Sequence, residues 1–431
     1  MAAIEDHEKS VNTVLPDVRE QVDKLLAEPL VREGLDFIKS NDKQRIDEQI
    51  QITEIPAPPF EEQERAEDFK QRFIALGLSD VHLDAEGNVV GLLKGSEEGP
   101  KLVVSAHLDT VFPRGYDAKV TIDDNGVIHA PGISDDAAGL AALLSIVKTL
   151  KEKGIQTVGD ILFVGTVGEE GRGDLRGGKY LFSTMKDIDG FISIDGDGYE
   201  KIIYLGLGSK RFEFTFKGPG GHSFMAFGDV PNPIHAMGRA IEKIANIIVP
   251  DKPRTTYSVS VISGGTSVNS IATEAVMQTD TRSVCPEQLE ETVAKLVNCA
   301  KMAVIEENDS LKIPWDSDNN ICLQIEKIGD RPSGACLPDA LHVQVAWAAT
   351  EAIGGTPRLE LPRSTDASIP INLGIPALTL GGGGKGNGIH SPQESFDPIN
   401  AYLAVQRVFL TILVFTGIAG KTDPLLPRRS G

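Results

Sequence analysis

KLVVSAHLDTV (residues 101–111) and, after a loop, HAPGISDDAAGLAALLSIVKTLKEKG (129–154) decide how this chain of 431 residues folds. KLVVSAH is a short, nearly unbroken apolar run, the mark of a strand buried in a parallel sheet. In the second stretch Leu140, Leu143, Leu144 and Val147 fall on one helical face, and Gly154 stops the helix. ILFVGTV (161–167) and GFISID (190–195) are two further β-rich runs. Strands alternating with helices indicate an α/β unit with a mostly parallel central sheet.

Upstream, residues 14–90 read as helices followed by a strand. There EIPAPPFEEQERAEDFKQRFIALG (54–77) has a Pro-rich break, an acidic start and a helical pattern ending at Gly77. Downstream of Ser209 the order changes. RFEFTFKG (211–218), a helix over 232–248, TTYSVSVISGG (255–265), EAVMQTDTRSV (274–284), a helix over 286–305 and NICLQIEKIG (320–329) make β-α-β-β-α-β, the ferredoxin-like order. The α/β pattern then resumes with a helix in DALHVQVAWAATEAIGG (339–355) and a strand in IPALTL (375–380). The expected organisation is a discontinuous catalytic domain, 1–208 plus 335–431, interrupted by an inserted α+β domain at 209–334.

Composition narrows the function. Hydrophobic residues make up 41% and charged residues 24%, ordinary for a globular chain. A net charge of −20 argues against a nucleic-acid partner, which needs a basic surface, and suits attraction of cations. Cys285, Cys299, Cys322 and Cys336 form no CxxC pair, so they read as reduced, mostly buried thiols and not as a zinc site. The start, MAAIEDHEKS, has no signal-peptide pattern, and the apolar stretches at 137–147 and 408–419 fall short of the roughly 20 residues that span a bilayer. A cytoplasmic protein without a membrane partner is expected, with frayed ends at 1–12 and 421–431.

Five places put an acidic residue or histidine at or near the exit of an apolar run: His107 and Asp109; Asp135 and Asp136; Glu169 and Glu170; Asp195 and Asp197; His390 and Glu394. Each has a plain structural explanation alone, as an HxD pair, a helix N-cap, a solvated turn or a loop histidine. Together they differ, because ligand sites in open α/β sheets form beyond the carboxyl ends of the strands, and unpaired charge there is costly. Imidazoles and carboxylates are good zinc ligands, and one carboxylate can bridge two ions. The glycine runs GGGGKGNG and GPGG lack the Lys-Ser/Thr of a phosphate loop. His7, His82, His129, His235 and His342 have no such company and read as structural or surface residues.

In order, SAHLDTV, GISDDAAG, GEEG, SIDG and GIHSPQE, with an insert between the last two, resemble the M20 metallopeptidases, most of all the peptidase T (tripeptide aminopeptidase) group, over nearly the whole chain. The resemblance implies a zinc-exopeptidase-like catalytic domain with an inserted dimerisation domain, two Zn²⁺ per chain (Co²⁺ or Mn²⁺ as alternatives) and a homodimer acting on small peptides. It implies that His107 and Asp195 hold one zinc, Glu170 and His390 the other, and Asp135 bridges them. Glu169 corresponds to the general base and acid, and Asp109 to the carboxylate that orients His107. His222 in KGPGGHS, Asn269 in SVNSIA, Arg282 in DTRSV and Asp366 in STDASIP correspond to substrate-binding positions. One departure is DDAAG, with Ala137 where the family often has lysine, which sets the chain apart from peptidase T itself. Two other functions fit the same residues less well: an N-acyl amino acid or other small-amide hydrolase, and a non-catalytic metal-binding scaffold. The intact Glu169–Glu170 pair speaks against the scaffold.

Overall fold

A computed structural model describes residues 14–311, 314 and 317–429. His7 lies outside them. The chain divides into two compact units, one up to Gly206 and from Ala335 onward, the other Leu207–Gly334.

The first unit is built on a mixed sheet in the order Ser79–Leu83, Val89–Leu93, Asp160–Thr166, Lys101–His107, Gly190–Ile194, Ala377–Leu380, Lys201–Ile203, Arg358–Leu359. The four from Asp160–Thr166 to Ala377–Leu380 run parallel. Val89–Leu93 and Lys201–Ile203, which flank them, run antiparallel to their central neighbours. The apolar run at 101–107 works on both faces, since successive side chains alternate. Leu102, Val104 and Ala106 join one core with Leu140, Leu144, Val408 and Leu413, and Val103 joins a second with Leu181, Phe182 and Ile369. The helix Ala137–Glu152 begins at Asp136, whose side chain accepts the Gly139 N–H, and gives way to Gly154 at φ +61°.

The described carboxyl-terminal stretch departs from the expectation of fraying. Leu426 is buried in the main core, the amides of Leu425 and Leu426 bond to Val414 and Phe415, and the Arg429 amide donates to Asp189 at 2.6 Å. Its apolar residues find a groove that a Pro/Arg-rich composition does not advertise. The cysteines are free, but only Cys285 is buried; Cys322 is exposed. No described helix is long and apolar enough to cross a membrane.

The second unit has the ferredoxin-like topology. Its antiparallel sheet runs Thr255–Gly264, Glu274–Ser283, Gly208–Lys217, Cys322–Arg331. Phe214, Phe216, Ala275 and Met277 pack there with helices Pro233–Ala245 and Pro286–Ser310 through Met237, Ile244, Leu296 and Ala300.

Candidate metal centre

The parallel strands bring their exits to one edge of the sheet. His107 ends its strand opposite Thr166, Asp195 follows Gly190–Ile194 directly, and Glu169 and Glu170 stand three and four residues beyond Asp160–Thr166. The loop before helix Ala137–Glu152 adds Asp135, and the glycine-rich loop after Ala377–Leu380 adds His390. Ligand atoms of His107, Asp135 and Asp195 lie within 4.8 Å of one another, and so do those of Asp135, Glu170 and His390. Asp135 belongs to both groups. Its Oδ1 is 2.9 Å from His107 Nε2, and its Oδ2 is 3.0 Å from His390 Nε2, which is 2.8 Å from Glu170 Oε1.

The donor chemistry fits cations. His107 Nδ1 donates to the backbone carbonyl of Asp109 at 3.0 Å, which leaves Nε2 as the lone-pair nitrogen facing a carboxylate oxygen. Two lone pairs at that distance require a proton or a metal ion between them. One ligand carboxylate, Asp195, and the adjacent Asp136 show the same need. Burial and the neighbouring Asp135 push Asp195 up to about 7, and burial pushes Asp136 well above the ordinary carboxylate range. The hydrogen bonds of Asp135 and Glu170 hold His390 up at about 10. A cluster that must otherwise be neutralised by protons matches the ligand set of two divalent ions.

The supports are partly unexpected. The carboxylate of Asp109, wholly buried, stands 3.7 Å from His107 Nδ1; its close bonds are to the amides of Glu169 at 3.0 Å and Glu170 at 2.8 Å. It therefore fixes the GEEG turn, and its backbone carbonyl orients His107. Arg65, with no exposed surface, donates to the carbonyl of Leu108 at 2.8 Å and to that of Ile55 at 2.8 Å. Its sequence signal is a charged residue on the face of helix Gln63–Ala75 that also buries Phe69 and Phe73. Asp197 does not join the ligand groups: it pairs with Lys201. The Asp135–Asp136 peptide is cis.

With this geometry in view, residues 103–414 match the family model of peptidase family M20/M25/M40. The chain belongs to this family. Its members are metal-dependent hydrolases acting on amide bonds, and this M20 chain is an enzyme of that class. An uncharacterised protein of Bacillus subtilis, YqjE, is 26% identical over 386 residues, covering 86% of this chain and 98% of YqjE. In fold the chain is similar to a tripeptidase from Staphylococcus aureus (24% identity, TM-score 0.70) and to aminopeptidase PepT from Bacillus cereus (24% identity, TM-score 0.69). Each structural comparison covers 86% of this chain and 98% of the other.

The remaining sequence candidates of this M20 enzyme lie on other elements. Asp366 is 1% exposed and accepts the Thr166 hydroxyl at 2.6 Å, at the end of the strand Asp160–Thr166. Ala137, at the family's lysine position, is fully buried at the start of its helix. Within the second unit His222 and Asn269 are neighbours: His222 pairs with Ser270, and the Ser223 amide donates to the Asn269 carbonyl at 3.0 Å. Arg282 sits opposite Ser209, whereas the strand end beside the His222 loop is at Lys217 and Glu274. That separation is about 27 Å at roughly 3.4 Å per residue. Arg282 is held by Asp280 at 2.7 Å.

Proposed function

We propose that the protein is a two-zinc exopeptidase of small peptides, aminopeptidase-like in its choice of di- and tripeptides. The observation that carries the reading is Asp135, which meets a different histidine on each carboxylate oxygen, so that one side chain serves two ligand groups. In this reading His107 and Asp195 hold one ion, Glu170 and His390 the other, and Asp135 both. When bound, such ions supply a water of lowered pKa and a polarised carbonyl.

Glu169 is the general base. It is 5% exposed, has a ligand atom within 4.8 Å of those of His107 and Glu170, and has its backbone amide held by Asp109. It takes the proton of the attacking water and returns one to the leaving amine. His222, an exposed imidazole, can donate a hydrogen bond to the developing oxyanion. We further read the enzyme as a homodimer in which His222 serves the partner's substrate.

The test is elemental analysis with a peptide-library digest read by mass spectrometry. Two metal ions per chain, reversible loss of activity on chelation and release of amino-terminal residues from short peptides are expected. An active preparation without metal refutes the centre. Cleavage of N-acyl amino acids in preference to free peptides refutes the peptidase assignment and leaves the centre standing.

A further inference from the structure

We propose that Gln49, on the helix Asp42–Thr53, is a positioning residue for the loop that carries Asp135; the inference rests on the reading of Asp135 as the ligand shared by two ions. The helix lies outside residues 103–414, the part matched by the family model, and carries no chemistry of its own. Its inner face is nevertheless polar where it meets the loop. Arg45 is 2% exposed and Gln49 fully buried, while Ile46 and Ile50 pack against Ile128, Ala130, Ile133 and Phe396 behind the loop.

The bonds form a chain toward the ligand. Asp42 accepts from Arg45 Nε at 2.7 Å, Arg45 Nη1 donates to Gln49 Oε1 at 3.0 Å, and Gln49 Nε2 donates to the carbonyl of Ile133 at 2.6 Å. With its oxygen held by Arg45, the Gln49 amide must present its NH₂ to Ile133. On the other side Glu394 takes the amides of Gly132 at 3.0 Å, Ser134 at 2.8 Å and Asp135 at 3.0 Å. The carbonyl of Ile133 and the N–H of Ser134 belong to one planar peptide. That peptide is therefore gripped at both ends, by Gln49 and by Glu394, two residues before Asp135 sends its oxygens to His107 and His390.

Burying an arginine and a glutamine on this face costs desolvation that apolar side chains would avoid. The return is a fixed peptide plane, and with it a fixed direction for Asp135. Partners that orient metal ligands typically change metal affinity about 10–100-fold when removed.

Apo-protein titrated with Zn²⁺ against a chromophoric chelator tests this. Gln49→Leu should bind zinc about 10–100-fold more weakly than wild type. Arg45→Met, which frees the amide to turn, should show a smaller loss in the same direction. Gln44→Leu, on the exposed side of the same helix, should bind as wild type does. If Gln49→Leu fails to fold, Arg45→Met decides: wild-type affinity in that variant refutes the inference, as it does in a folded Gln49→Leu. An equal loss in Gln44→Leu assigns the effect to helix packing and refutes it too. Wild-type protein that takes up no zinc refutes the metal reading and this inference together.

Discussion

The loop at 130–136 and the loops around His222 contrast in how completely they are held. In the first, the amides of Gly132, Ser134 and Asp135 and the carbonyl of Ile133 each have a side-chain partner, and Ser134 and Asp136 have no exposed surface. In the second, His222 is exposed, its Nδ1 accepts the Phe224 amide at 3.2 Å, and Phe224 and Phe227 are 82% and 83% exposed. A site that must hold cations at fixed distances is built from one chain's interior, where packing and hydrogen bonds determine each angle. Bare aromatic rings beside an exposed imidazole are the surface that a partner would cover, which is the physical argument for the proposed homodimer.

The strongest way to break this contrast is at the held end. Glu169→Gln should lose about 10²–10⁴ in kcat, the span of a general acid–base group, and retain both metals. Glu170→Gln should lose metal as well. Elemental analysis of the two variants separates base from ligand, and the opposite pattern reverses the assignment.

A smaller effect is expected at the exposed end. His222→Ala should lower kcat by about 10²–10³, as loss of one oxyanion donor does elsewhere, with metal content unchanged. Mixing inactive His222→Ala with inactive Glu169→Gln should recover activity after subunit exchange, since one site of the mixed dimer has both residues. No recovery despite proven exchange places His222 in its own subunit's chemistry or outside catalysis.

The smallest effect sharpens where acid acts on the first unit away from the ligands. Burial lowers His342, whose Nε2 is 3.4 Å from Cys336 Sγ, from 6.5 to about 4. The unfolded chain then binds the proton more readily than the folded one between those values, so stability is complete above pH 6.5 and falls as pH drops toward 4. Thermal melts from pH 7 to 5 should show a decline that His342→Gln makes shallower; an unchanged slope assigns the acid sensitivity to other groups.

What the sequence by itself determined is whatever is written locally. The apolar runs at 101–107, 161–167 and 190–195, the helix pattern after Asp136 and the β-α-β-β-α-β order of the insert are periodicities of single elements, and the α/β class with a ferredoxin-like insert follows from them. His107, Glu170 and Asp195 were singled out for the same reason, standing at or a few residues past the end of such a run, whereas Asp135 precedes a helix and His390 lies in a glycine-rich loop well beyond its strand. Tertiary structure alone decided which backbone groups the charged side chains would meet. Asp109 reaches across to the amides of Glu169 and Glu170, Glu394 grips a loop some 260 residues earlier in the chain, and Gln49 meets Ile133 from a helix with no motif. It also buried Asp366 and set Arg282 opposite Ser209, at the far end of its strand from Glu274 and Lys217. Periodicity reports which face of an element is buried, but a hydrogen bond between distant segments depends on how the elements pack, and no single segment carries that information.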